Sequence, residues 1–145
     1  MDEQEEIIYT HISMKDSFTT SKTYFESQKH AIHGLLSIIK NERNFRIQLV
    51  VAVFVVLLGI LLEISHTAWI AVGFLIALVL IAEAFNSVIE ALSDTISQEF
   101  RVNIKYAKDV SAGCVLVSAI ASVVLGIIIF VPYLIPVFEE LLTRI

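Results

Sequence analysis

Three apolar runs, residues 47–62, 68–82 and 111–131, govern what this chain can fold into. With its flanks each approaches the roughly 20 residues that a helix needs to cross the hydrocarbon core of a bilayer. Lipid offers no water to an unpaired backbone group, so runs of this kind must be helical. Hydrophobic residues make up 57% of the 145 residues, too many for an ordinary soluble domain of this size. The formal net charge of −5 excludes the basic footprint of a nucleic-acid binder.

The runs divide the chain. Residues 1–23 are polar and aperiodic, which reads as a flexible tail with no signal-peptide pattern. Over 24–40, Phe25, Ile32, Leu35, Leu36 and Ile39 alternate with Lys29, His30, His33 and Lys40, the pattern of an amphipathic helix lying in the membrane interface. The first span is expected at about 46–63, broken by Gln48. The second is expected at about 67–97, with Trp69 at the depth of an aromatic belt, and the third at about 110–131, stopping near Pro132 and Pro136. Residues 24–137 then form one domain, and 138–145 a short extracytoplasmic tail. The expected fold is an all-α, multi-pass integral membrane protein: an interfacial helix followed by three transmembrane helices. Cys114, within an apolar run, reads as a small buried hydrophobe.

Basic residues set the orientation. Lys15, Lys22, Lys29, Lys40, Arg43 and Arg46 precede the first span, and Arg101, Lys105 and Lys108 separate the second from the third. The short first loop has none, and Arg144 alone follows the third span. The positive-inside rule therefore places the amino terminus in the cytoplasm and the carboxyl terminus outside the cell membrane.

Chemistry concentrates on the second span. Glu83, Asn86, Glu90 and Asp94 stand at offsets of 0, 3, 7 and 11. On a helix they fall in a stripe roughly 80° wide that climbs roughly 16 Å. A solvated helix extension would account for Asp94 equally well. It does not account for Glu83, because an ionisable group that follows fifteen apolar residues is costly enough to be a functional candidate by default. Carboxylates and an amide on one face suit Mg²⁺, a hard cation that shares its shell with substrate phosphates. Desolvation disfavours the ionised form of a carboxylate near the apolar medium, which suits Glu83 to take a proton from an alcohol. Glu90 and Asp94, nearer water, suit metal or structural roles, and Glu42 at the first membrane boundary could complete a metal site.

Arg101, Lys105 and Lys108 gather positive charge beside this stripe, and Lys108 at a helix start suits a triphosphate. Arg101 and Lys105 serve equally well as topology determinants. No G-x-x-x-x-G-K-[ST] loop, dinucleotide turn or protein-kinase block is present, and the histidines show no zinc spacing.

The residues Glu83-x-x-Asn86-x-x-x-Glu90-x-x-x-Asp94, with Ala107-Lys108-Asp109-x-x-Ala112-Gly113, resemble the prokaryotic diacylglycerol kinase family. His30-Ala31-x-x-Gly34 and Asn41-Glu42-Arg43-Asn44-Phe45 upstream fit it too, and the resemblance covers about residues 25–131. Glu42-Arg43-Asn44-Phe45 and Glu63-Ile64-Ser65 before Trp69 look like its Gram-positive branch, in which undecaprenol kinases predominate over diacylglycerol kinases. The resemblance implies a homotrimer that uses ATP at sites shared between protomers. By motif, Glu83 is similar to the catalytic base and Asn86 to a residue near the transferred phosphoryl group. Glu42 and Glu90 are similar to ligands of Mg²⁺ and nucleotide, and Lys108 and Asp109 to nucleotide contacts. Glu99 and Arg101 align with a nucleotide-contacting loop, and His30 with an adenine-side position. Asp94 and Gly34 would be supporting residues.

The expected activity is ATP-dependent phosphorylation of a membrane lipid alcohol. The resemblance to the Gram-positive branch makes undecaprenol the expected substrate, and the short turn and apolar spans offer no polar pocket for the esters of diacylglycerol, the alternative. Phe45, Val51, Phe54 and Leu58 would line the isoprenoid chain. Two rivals are a small ion-coupled transporter, which predicts acids near mid-bilayer, and a non-enzymatic membrane subunit, which leaves the polar stripe without purpose.

Overall fold

The computed structural model describes residues 24–96 and 101–144. The expected tail at 1–23 and the expected nucleotide contact Glu99 lie outside the described residues. Four helices follow in order: α1, Tyr24–Asn41; α2, Arg43–Leu61; α3, His66–Ile96; and α4, Val102–Thr143. The last three are long and apolar enough to cross a membrane. The chain divides into two units, 1–37 and 38–145. Most of α1 belongs to the first, and α2 to α4 make up the second.

Within the second unit, α3 packs mainly on α4 and to a lesser extent on α2. The α3–α4 contact is lined with small polar residues, as membrane helices require for close approach. Ser87 and Ser93 of α3 and Ser118 of α4 are buried, and the Ser122 hydroxyl donates across the contact to the Leu75 carbonyl at 3.5 Å. Few large apolar side chains are buried, namely Phe45, Ile64, Val72, Leu75 and Phe130. The rest of the apolar surface of α2, α3 and α4 faces outward, the arrangement expected of helices solvated by lipid.

The α2–α3 turn is built tightly. Ile64 N–H donates to the Gly59 carbonyl and Glu63 N–H to the Ile60 carbonyl, both at 3.2 Å, the paired bonds of a Schellman cap. Glu63 occupies the left-handed position at φ 49°, where glycine is usual. Ser65 then caps α3, its hydroxyl accepting from Ala68 N–H at 3.3 Å. Trp69 folds back over α2, and a Cβ on Gly59 would stand 2.9 Å from the indole, so this close approach requires glycine. Tyr133 of α4 closes the end: its hydroxyl accepts from Ser65 N–H at 3.2 Å and donates to the Ser65 hydroxyl at 3.1 Å. Ile64, Val72 and Phe130 form the apolar cluster beneath. We expect Glu63→Gly to stabilise the protein by about 0.5–1 kcal/mol through relief of the left-handed strain, and Glu63→Val to destabilise it. Thermal unfolding in detergent reads both, and equal stability of the two variants would contradict this account of the turn.

The third span, α4, differs from its expected limits. It does not stop at Pro132 or Pro136 but continues to Thr143, absorbing most of the expected tail at 138–145. Each proline removes one backbone donor. Leu134, Ile135, Val137, Phe138, Leu141 and Leu142 continue the apolar pattern, and every residue other than the prolines keeps its own backbone donor, so the helix runs on past both. At 42 residues, or about 63 Å, α4 is about twice as long as a bilayer core is thick. Cys114, expected to be buried, is exposed on its surface.

Candidate active site

Glu83 lies seventeen residues along α3 from His66, about 26 Å at 1.5 Å per residue. That distance brings it toward the far edge of a hydrocarbon core roughly 30 Å thick. Its side chain is 3% exposed, turned into the bundle rather than toward lipid. A carboxylate so placed needs a donor, and Gln48 of α2 supplies one: its Nε2 donates to Glu83 Oε2 at 2.9 Å. The Ser87 hydroxyl donates to the Glu83 backbone carbonyl one turn away at 3.1 Å.

One turn further along α3, Asn86 is 7% exposed and links Ser111 to Glu90. Its Oδ1 accepts from the Ser111 hydroxyl of α4 at 2.7 Å, and its Nδ2 donates to Glu90 Oε1 at 3.1 Å. The chemistry of the partners fixes the amide's orientation, since a carboxylate can only accept. Asn86 therefore holds α3 against α4 and takes one Glu90 oxygen while leaving the other. Beyond it, Asp94 is exposed and pairs with Lys108 of α4 at 2.9 Å. Asp109 pairs with Lys105, four residues before it, on the exposed side of α4. Arg101 is the extended residue that starts α4.

The stripe foreseen on one helix face is thus a gradient: Glu83 and Asn86 buried, Glu90 half-buried, Asp94 exposed. Glu42 is half-buried at the α1–α2 junction, where it starts α2 without a side-chain cap bond. Arg46 fastens that junction by donating to the Ile39 and Lys40 carbonyls at 3.2 and 2.7 Å. Among the described residues no three His, Cys, Asp or Glu side chains form a metal-binding group. The donors do fit a Mg²⁺ held largely by phosphate, which takes only one or two carboxylates from the protein. His30 and Gly34 lie exposed on the part of α1 that belongs to the first unit.

Two residues of this network carried no expected role. Gln48 was visible in the sequence as the one polar break in the first span, and its partner became visible only once α2 and α3 were packed. Ser111, three residues after Lys108, reads as an ordinary small residue at a helix start until it meets Asn86. Among the residues expected to line a lipid chain, Val51 and Leu58 do line an apolar cleft between α2, α3 and α4. Phe45 is instead buried, and Phe54, 67% exposed, faces away from the cleft.

A buried carboxylate, an amide that holds a second carboxylate, and a lysine thus lie toward one end of three helices long and apolar enough to cross a membrane. Residues 29–130 match the family model of prokaryotic diacylglycerol kinase. An undecaprenol kinase of Bacillus subtilis is 34% identical over 83% of this chain and 98% of its own length. A diacylglycerol kinase of a Synechocystis species is 31% identical over 81% of this chain and 68% of its own. The chain belongs to the prokaryotic diacylglycerol kinase family, and it is a lipid kinase.

Proposed function

We propose that the chain transfers the γ-phosphoryl group of ATP to the hydroxyl of undecaprenol at the cytoplasmic face of the membrane. The carrying observation is Glu83, a buried carboxylate at membrane depth whose one side-chain hydrogen-bond partner among the described residues is a neutral amide on the facing helix. The resemblance along nearly the full length of the B. subtilis undecaprenol kinase supports the choice of lipid. In the transfer, Glu83 accepts the hydroxyl proton while the alcohol oxygen bonds to the γ-phosphorus and the bond to the leaving ADP oxygen breaks. Asn86, tied to Ser111 and Glu90, holds the phosphoryl end in place. Lys108 exchanges part of its contact with Asp94 for a phosphate oxygen. Glu42 and Glu90 would hold Mg²⁺, which supplies positive charge against the phosphates. Asp109, Arg101, Glu99 and His30 complete the nucleotide contacts in this reading, with Gly34 as support, and the working unit is a homotrimer.

Positioning and charge neutralisation contribute most of the rate, so the lipid is selected mainly through its tail. Tail packing discriminates modestly per methylene, and diacylglycerol is expected as a slower second substrate. Side-by-side assays in mixed micelles at equal surface concentration should give undecaprenol the higher kcat/KM. A clear advantage for diacylglycerol would overturn the substrate while leaving the lipid kinase standing.

A further inference from the structure

Between α2, α3 and α4 runs a cleft of about 510 Å³, within the size range of ligand pockets. Its walls are mostly apolar, with Ala52, Val55, Leu75, Val79, Gly126 and Phe130 among them. Gln48 lines it at the end nearest Glu83, and Phe130 and Leu134 line it toward the α2–α3 turn.

The polar end is unusual. Gln48 gives its Nε2 to Glu83, and its Oε1 is buried without a hydrogen-bond partner. The amide cannot turn round to cure this while Glu83 is ionised, because a carboxylate accepts only and needs the NH₂ facing it. A base at Glu83 therefore leaves an unpaired, enclosed carbonyl on a residue that lines the cleft. A buried acceptor without a partner costs free energy that a donor arriving there recovers. An ester group brings no donor, whereas an alcohol brings its hydroxyl proton.

We propose that this cleft is the slot for one hydrocarbon chain of the lipid alcohol, with the hydroxyl docking at Gln48 Oε1 before its proton passes to Glu83. The slot rests on the reading of Glu83 as base, and it makes Gln48 a positioning residue that couples chain binding to that base. The chain runs along the helices, away from the polar end. Gly126 lies fifteen residues along α4 from Ser111, about 22 Å at helical rise. A prenol of two isoprene units, at roughly 1.2 Å per extended chain bond, spans about 10 Å and ends before Gly126. A long prenol passes it.

A Cβ at Gly126 meets no atom within 4 Å, so a larger residue fits the fold while filling the slot. Gly126→Val should lower the ratio of kcat/KM for a long prenol to that for a two-unit prenol at least tenfold. Val124→Leu, on the exposed side of the same helix and outside the cleft, should leave the ratio at its wild-type value. Gln48→Leu should lower kcat/KM at both lengths at least tenfold, and Gln48→Asn should not restore it, its amide being too short to span both contacts. An unchanged ratio in Gly126→Val overturns the slot. So does loss of the native oligomer by size-exclusion chromatography in that variant, which would assign the cleft to a second copy of the chain. If the wild type phosphorylates diacylglycerol but no prenol, the substrate reading fails instead, and the same ratio on long- and short-acyl diacylglycerols still decides the slot.

Discussion

Glu83→Gln is expected to lower kcat by about two to four orders of magnitude while leaving ATP affinity nearly intact, the range associated with removing a positioned general base. The substitution keeps the shape of the side chain and deletes its ability to accept a proton. It also keeps the fold. The introduced glutamine can turn its carbonyl to Gln48 Nε2 and its NH₂ to the unpaired Gln48 Oε1, so two amides exchange two hydrogen bonds where one existed. Thermal stability in detergent should be at least that of the wild type, which separates a catalytic loss from unfolding. The lipid-phosphorylation rate and the affinity for a fluorescent ATP analogue are the two measurements. Turnover within a few-fold of wild type would end the assignment of Glu83 as base.

The legible part of this molecule was the part that lipid dictates. Apolar runs of membrane-spanning length leave the backbone little choice, and α2 and α3 fall within a few residues of their expected limits. The stripe on α3 was equally legible, because a carboxylate after fifteen apolar residues has no bland explanation and helical geometry places Asn86, Glu90 and Asp94 above it. The end of α4 was not. Proline is a fair signal for a helix stop, but each removes only one backbone donor, and the apolar pattern that follows Pro132 and Pro136 continues as helix to Thr143. Nor did the sequence reveal that Gln48 bonds to Glu83. Spacing within one helix is periodic and can be read directly, whereas the pairing of residues 48 and 83, or 111 and 86, depends on how separate helices are rotated against one another. Phe45 and Phe54, nine residues apart, fall on opposite faces of α2, so one is buried while the other is exposed.

Glu90 offers the second large effect, and here the structure sharpens the experiment. If Glu90 and Glu42 share a Mg²⁺ with the nucleotide phosphates, removing either carboxylate should weaken Mg²⁺-ATP binding. Loss of mere supporting groups around metal sites already costs about 10–100-fold, so each alanine variant should lose at least about tenfold. Glu90→Ala, however, also deprives Asn86 Nδ2 of its acceptor and so disturbs the contact with Ser111. Glu90→Gln separates the two effects: its amide carbonyl still accepts from Asn86, while the anionic charge that a hard cation demands is gone. We therefore expect Glu90→Gln to raise the Mg²⁺ concentration for half-maximal activity nearly as far as Glu90→Ala does, yet to retain more of the turnover at saturating Mg²⁺. Glu42→Ala, at a residue whose side chain makes no cap bond to α2, should reproduce the Mg²⁺ shift without a loss of helix packing. Titration of activity with Mg²⁺ at fixed ATP, alongside nucleotide binding, reads all three variants. An unchanged Mg²⁺ requirement across the set would remove the metal from both carboxylates and leave Glu90 as the residue that merely holds Asn86 in place.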